Sequence, residues 1–207
     1  MLAATMLDAV QPTAATARAI QAQGVAGEHV SWPSGRIGGM GELFSGEVLV
    51  HYGFAHLLTN GAEEPGMPDA ARRGQRNGLA GAAVAHQVYL VTGLHTGSVV
   101  FTVAWLPAEP PLDDEWDEVV EVSLDVAETM AAIRSFDDWH PLTLPATGPH
   151  RVRYSAAGFE AGRQVDTARP GPDRYLLQLW PAPPAPDRIV RQTSANAAYW
   201  HDVAWKN

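Results

Sequence analysis

The sequence predicts an all-β fold, an antiparallel β-sandwich with a short N-terminal helical extension and a short C-terminal helix. Between residues 47 and 191, apolar and polar residues alternate in short runs, the pattern of strands with one buried face and one exposed face. Turn-forming residues separate these runs at intervals of about ten residues, which is typical of sandwiches and barrels. We therefore expect an extension and linker at residues 1–40 and a single sandwich domain with its C-terminal helix at residues 41–207.

The first 40 residues differ from the rest of the chain. Residues 1–23 contain the apolar positions of a short helix, although Pro12 interrupts it. The glycine-rich segment 31–41 is typical of a linker, and Met40 within it is a candidate start codon. No basic segment precedes an unbroken apolar core, and no apolar run reaches the ~18 residues of a membrane span. The sequence therefore predicts a cytoplasmic protein without membrane contact.

Residues 47–58 predict the first half-buried strand. Val48, Val50 and Leu58 share one face of this strand, and the same alternation points His56 inward. After a polar loop, three further runs are expected to pair as antiparallel neighbours: residues 79–84, 87–91 and 98–105.

An acidic segment, DDEWDEVVEVSLD, occupies residues 113–125. Alternation in its second half places Val120 and Leu124 in the core, with Glu121 and Asp125 on the opposite face. The outer face of this strand is therefore expected to be acidic.

Residues 126–136 are ambiguous, because their propensity favours a helix whereas their length and position allow a turn and a strand. We predict the strand. Three more strands follow: residues 151–156, 174–180 and 188–192. In the first of these, Arg151 and Arg153 face outward. A short helix closes the chain, with Thr193 or Ser194 as its N-cap.

The charge balance limits the classes of partner. The chain has 207 residues, of which 23 are acidic and 14 are basic, giving a formal charge of −9. This excess of negative charge disfavours direct contact with nucleic-acid phosphates or anionic membranes and permits a basic protein partner. There are no cysteines, so disulfides, zinc–thiolate sites and thiol chemistry are excluded. The oligomeric state is not specified by any of these features.

The sequence offers little support for catalysis. His51, His56, His86 and His95 lie on or beside strands that could be neighbours, but no H-x-H or H-x-D pair occurs among them, so a metal site is not predicted. The chain has no G-x-S-x-G elbow, phosphate-binding loop or dinucleotide fingerprint. We therefore predict a protein that is not an enzyme and needs no cofactor.

Seven tryptophans suggest an alternative function. Exposed aromatic rings on β-sandwiches can stack on sugars, and Trp116 and Trp139 are the loop candidates for this role. A small-ligand or carbohydrate-binding sandwich would present a concave cavity lined by both rings, whereas a protein-binding domain would present a flat acidic face.

The order and pattern of the strands resemble a known family. The segments LVHYGFAHLL, AHQVYLVTGLHTGSVVFTVAWL, DEVVEVSLDV, LTLPATGPHRVRYSA and RYLLQLWPAP, within residues 44–183, resemble the layout of the competence protein J family, small bacterial inhibitors of a DNA-entry nuclease. The C-terminal part is similar to a group of uncharacterised bacterial proteins with RVRYSA, YLLQLWPAPP and a terminal AYW. The N-terminal extension and the C-terminal helix depart from the small inhibitor.

The resemblance implies binding by occlusion. An inhibitor or immunity-type protein of this kind would place an acidic surface in the basic cleft of a nuclease. The partner-binding residues that we predict are acidic, with one aromatic anchor: Asp113, Asp114, Glu115, Trp116, Asp117, Glu118, Glu121 and Asp125.

Overall fold

The structure of the chain is a computed structural model, and it describes residues 41–59, 67–136 and 138–206. These residues form twelve strands and three helices. The elements are β1 (Gly41–Val50), β2 (Phe54–Thr59), α1 (Pro68–Ala71), β3 (Ala80–Gly81), β4 (Gln87–Val91), β5 (Thr96–Trp105), β6 (Glu118–Val126), β7 (Met130–Ser135), β8 (Asp138–Thr143), β9 (Gly148–Ala157), α2 (Phe159–Val165), β10 (Thr167–Ala168), β11 (Arg174–Pro181), β12 (Arg188–Arg191) and α3 (Ala195–Trp205). The predicted all-β fold with a C-terminal helix is confirmed. The expected N-terminal extension lies outside the described residues.

The strands form two sheets. The larger sheet has the order β1-β5-β11-β9-β6-β12, with the short β10 also pairing with β5, and the smaller sheet has the order β3-β4-β2-β7-β8. The pairings are antiparallel except where β5 meets β10 and β11, which run parallel to it. In the larger sheet, β11 therefore lies between β5, which comes much earlier in the chain, and β9, which comes shortly before it.

The core contains apolar side chains from the inner faces of both sheets. Val120 in β6 and Val152 in β9 are fully buried, as alternation predicts. Phe101 and Tyr175 stack with their ring centroids 4.8 Å apart, and Tyr154 stacks on Tyr175 at 5.5 Å. The Tyr154 hydroxyl also donates a hydrogen bond to the carbonyl oxygen of Val91, at 2.8 Å. This bond joins the larger sheet to the smaller one through a buried side chain.

The first predicted strand is in fact two strands. A turn at residues 51–53 separates β1 from β2, with Tyr52 and Gly53 at φ +60° and +71°. Because β1 joins the larger sheet and β2 the smaller one, this turn is a corner between the sheets. His56 is buried, but it is in register with Tyr89 and Arg134 and alternates with the core residues Ala55 and Leu57. The prediction that His56 shares the core face of this strand is therefore wrong, because the turn at residues 51–53 changes which face of the chain is buried.

The expected pairing of β4 with β5 is wrong. β4 pairs with β2 and β3 in the smaller sheet, whereas β5 pairs with β1, β10 and β11 in the larger one. Alternation indicates which face of a strand is buried, and it carries no information about the neighbouring strand. The ambiguous segment 126–136 contains the predicted strand, β7. Among the described residues, no helix is long and apolar enough to cross a membrane.

The C-terminal helix α3 packs directly on the backbone at Gly78. The Ser194 hydroxyl caps the helix by accepting a hydrogen bond from the Ala197 amide, at 3.1 Å. His201 is buried, and its Nδ1 accepts a hydrogen bond from the Gly78 amide at 2.9 Å. A Cβ atom on Gly78 would lie 1.9 Å from the Trp200 carbonyl oxygen. Only glycine therefore allows the helix to approach this closely.

We expect Gly78→Ala to lower the free energy of unfolding by about 1–3 kcal/mol, because the new methyl group forces α3 away from the sheets. Urea denaturation measures the loss. Gly41→Ala is the matched control, since no heavy atom of a described residue beyond its chain neighbours lies within 4 Å of the Cβ position there. Equal stabilities for the two variants would contradict the packing described for α3.

Candidate partner-binding surface

The segment 106–117 connects β5 to β6 and lies against the outer face of the larger sheet. Arg153, on the outer face of β9, donates hydrogen bonds to the carbonyl oxygens of Pro110 and Pro111, at 2.8 and 3.3 Å. Trp116 packs with Val119 in a small second apolar cluster. The outer face of the sheet therefore holds the connection in place at several points.

Beneath this connection lies a group of buried charges. The Glu121 carboxylate is 3.2 Å from Arg151, 2.9 Å from Arg153 and 3.1 Å from Arg188. Arg153 also pairs with Glu109 at 3.1 Å. Buried charges are tolerated only when they are paired and hydrogen-bonded. Arg188 and Glu109 lie exposed at the edge of this group, and we call its three buried members, Glu121, Arg151 and Arg153, the buried ion network.

A second connection also covers the network. The carbonyl oxygen of Ala185, in the proline-rich segment 182–187, accepts hydrogen bonds from Arg151 at 2.9 Å and from the Ser123 hydroxyl at 3.0 Å. Two surface segments are thus fixed by side chains that project from neighbouring strands of one sheet.

Four of the predicted acidic residues lie together at the surface, in the turn that precedes β6. Asp113, Asp114, Glu115 and Asp117 are all exposed. Asp114 pairs with Arg191 at 2.6 Å, and Glu115 pairs with Arg174 at 2.9 Å. Asp117 accepts a hydrogen bond from the Gly158 amide at 2.7 Å. These contacts fix the turn and leave its carboxylates accessible.

Two predicted residues have an internal role instead. Glu118 is fully buried, and its carboxylate accepts hydrogen bonds from the backbone amides of Thr193 and Ser194, which lead into α3. Glu121 is buried in the ion network. The strand β6 therefore does not present the acidic outer face expected from the sequence, because two covering segments and three arginines occupy it. Neither glutamate can contact a partner directly.

The remaining predicted residues differ in position and exposure. Asp125 is exposed but lies seven residues along β6 from Glu118, roughly 23 Å at the usual rise of a strand. The predicted anchor Trp116 is only 9% exposed, and Arg174 lies over its ring, 5.1 Å from the centroid. Leu112 is 48% exposed and is an apolar side chain that the connection presents to solvent. In the sequence, two prolines followed by a leucine and two aspartates, at residues 110–114, mark this exposed tip.

The tryptophans do not share a cavity. Trp116 lines a concavity of about 380 Å³ between the 106–117 connection and the sheet. Trp139 lines a different one, of about 340 Å³, on the smaller sheet. The single cavity lined by both rings, which would favour the carbohydrate-binding alternative, is therefore not formed by these two residues.

The histidines do not form a metal cluster in the part of the chain that the structure describes, where no group of three or more metal-ligating side chains occurs. His56 instead packs against aromatic rings, 5.1 Å from Tyr89 and 5.4 Å from Phe54. Burial, with the nearby Arg134 as a smaller cause, lowers the pKa of His56 to about 4. The side chain is thus buried and neutral.

No protein-family model matches the chain, and no curated protein matches it. Among solved structures, the chain is similar to ComJ from Bacillus subtilis, an inhibitor of the DNA-degrading activity of NucA, with a TM-score of 0.52 and 14% sequence identity over 69% of this chain and 98% of ComJ. The chain shares the ComJ fold. The product of crocagin biosynthetic gene J is a further match, with a TM-score of 0.46 and 15% identity over 70% of this chain and 99% of that one.

The similarity to ComJ establishes the fold and does not identify binding residues. We therefore define the candidate surface from the exposed residues of this chain. Four carboxylates and one apolar side chain meet at the tip of the 106–117 connection. We call this set the acidic loop: Leu112, Asp113, Asp114, Glu115 and Asp117.

Proposed function

We propose that the protein is a non-catalytic inhibitor or immunity-type protein whose acidic loop occludes the basic cleft of a nuclease. The observation that carries the proposal is the attachment of an exposed cluster of carboxylates to a buried ion network. Arg153 holds the loop backbone while the carboxylates point to solvent. A surface that is already ordered loses little conformational entropy when a partner binds.

The carboxylates of the acidic loop can exchange the arginines of this chain for the basic residues of a partner. The pairs Asp114–Arg191 and Glu115–Arg174 are exposed or half-exposed, and pairs of this kind contribute about 0–1 kcal/mol to stability. A partner arginine or lysine can therefore replace the internal cation at little cost. Complementary charge accelerates association, and Leu112 supplies an apolar contact beside the charged residues.

The fold supports the class of partner. ComJ inhibits a DNA-degrading activity, and nearly its whole length is covered by the similarity. A nuclease has a cleft that attracts phosphate, and the same positive field attracts a rigid cluster of carboxylates. The net charge of −9 on this chain adds to that attraction.

The proposal is tested by a pull-down from the native host at low salt, followed by an assay of any retained nuclease with and without the protein. We expect a basic nuclease to be retained and its cleavage of DNA to be inhibited. Retention of no nuclease, or retention of one that remains fully active, would overturn the proposal.

The surface is tested by the double variant Asp114→Lys and Glu115→Lys. We expect the association rate with the retained nuclease to fall by about 10- to 100-fold at low salt, with a weaker dependence on ionic strength. The reason is that the introduced lysines repel the basic nuclease, whereas the carboxylates attract it. The matched control is Glu42→Lys with Glu47→Lys, which makes the same change in net charge on β1, at the opposite edge of the larger sheet. Equal rates for the two double variants would exclude the acidic loop as the contact surface.

A further inference from the structure

A third concavity, of about 440 Å³, lies where four parts of the fold meet. It is bordered by the turn between β1 and β2, the loop between β4 and β5, and the helices α2 and α3. None of its lining residues belongs to the acidic loop. Its volume falls in the range of roughly 300–1,000 Å³ that is usual for small-molecule sites.

Aromatic rings line this cleft. Tyr52 and Tyr199 are 64% and 59% exposed, which is unusual for side chains of this size. The Tyr52 ring meets His95 edge to face at 5.7 Å, and the Tyr199 ring meets Trp200 in the same way at 5.4 Å. Each aromatic pair combines an exposed tyrosine with a second ring that fixes its position. Both pairs therefore offer flat apolar surface to a ligand.

A buried donor also lines the cleft. Asn196 is only 9% exposed, and its side-chain nitrogen Nδ2 has no hydrogen-bond partner among the described residues. The residue is held at the start of α3, where its backbone amide donates to Glu160 at 3.0 Å. A buried amide without a partner is unfavourable, and a ligand oxygen in the cleft would provide the missing acceptor.

The charges of the cleft indicate a neutral ligand. Arg163 and Asp166 both line it, and they lie 3.4 Å from each other. Their charges cancel, so the site offers ionic donors and acceptors without a net charge that would select an anion or a cation. Stacking rings together with mixed donors and acceptors suit a ring that has an apolar face and several hydroxyl groups.

The walls of the cleft are rigid. Tyr52 and Asp166 have φ angles of +60° and +64°, a conformation that non-glycine residues adopt only when their surroundings hold them. In the β4–β5 loop, the Gly93 amide donates to the Tyr175 hydroxyl at 2.7 Å, and the Leu94 amide donates to buried Asp173 at 2.9 Å. The site is thus formed before a ligand enters.

We infer that this cleft binds a neutral saccharide. The apolar face of the sugar ring stacks on the exposed tyrosines, and one of its oxygens accepts a hydrogen bond from Asn196 Nδ2. Hydroxyl groups bridge Arg163 and Asp166 at the rim. The inference is independent of nuclease inhibition, since the two surfaces share no residue.

The test is a titration of the isotope-labelled full chain with glucose, N-acetylglucosamine and maltose, followed by NMR. We expect saturable shifts for at least one of these sugars, at the Asn196 side-chain amide and the Trp200 indole. No shift with any of the three, or shifts that map outside the cleft, would overturn the inference. A stronger response to adenosine monophosphate than to every sugar would overturn the assignment to a neutral saccharide.

Two variants locate the binding. Tyr199→Ala removes an exposed ring, and Asn196→Asp replaces the amide donor by an acceptor of the same shape. We expect each to weaken sugar binding by about tenfold or more. Trp139→Ala is the matched control, because it removes an exposed aromatic ring from a different concavity. Unchanged affinity in Tyr199→Ala, or an equal loss in the control, would contradict the site.

Discussion

Replacement of Glu121 by alanine is expected to lower the free energy of unfolding by about 3–5 kcal/mol. The carboxylate is buried and lies within 3.2 Å of three guanidinium groups. Its loss leaves Arg151 without a carboxylate partner among the described residues and leaves Arg153 paired only with exposed Glu109. Uncompensated buried charge is far more costly than the loss of an exposed ion pair.

Asp125→Ala is the control for this prediction, because Asp125 lies on the same strand and is exposed. We expect its effect to stay within about 0.5 kcal/mol. Urea denaturation of both variants gives the comparison, and Glu121→Gln should fall between them because it keeps a hydrogen-bond acceptor. Equal stabilities for Glu121→Ala and Asp125→Ala would show that the network does not stabilise the fold.

Acid is expected to destabilise the protein strongly between about pH 6.5 and pH 4. Burial lowers the pKa of His56 and of His201 to about 4 in the folded chain, from 6.5. In this interval the unfolded chain binds more protons than the folded one, so stability is present at neutral pH and is lost as the pH falls. The difference between the pKa values corresponds to about 3 kcal/mol for each histidine.

The measurement is the free energy of unfolding in urea at several pH values from 7 to below 5. Burial lowers the pKa of His150 as well, which acts in the same direction, whereas burial raises the pKa of Asp173, which favours the folded state as the pH falls. His56→Leu separates these contributions, since it removes one titrating group and leaves the others. We expect its loss of stability on acidification to be about 3 kcal/mol smaller than that of the wild type. Parallel pH profiles would contradict the buried neutral state of His56.

The sequence predicts the direction of side chains better than their surroundings. In β6 and β9, alternation correctly assigns Val120 and Val152 to the core and Glu121 to the other face. It does not predict that the 106–117 and 182–187 connections cover that face. Whether a residue on the outer face is exposed depends on segments far away in the chain, and these have no periodic signal. For the same reason, a charge reversal at Glu121 would test folding rather than partner binding.

Breaks in strands are hidden when apolar residues continue through them. Residues 47–58 read as one run because Tyr52 continues the apolar alternation, yet it adopts a left-handed conformation and turns the chain from one sheet into the other. The aromatic cleft could not be predicted either, because its residues come from four segments that only the fold brings together. By contrast, α3 can be predicted from neighbouring residues alone, because Ser194 is suited to cap its first turn.

The position of β11 has a consequence for synthesis. This strand fills the space between β5 and β9 in the larger sheet, so during translation both of those strands emerge from the ribosome before their shared neighbour exists. Until residues 174–181 appear, each presents an unpaired edge, and unpaired edges can pair with other chains. The larger sheet is completed only after β11 and β12 have been synthesised, and the nascent chain depends until then on protection of those two edges.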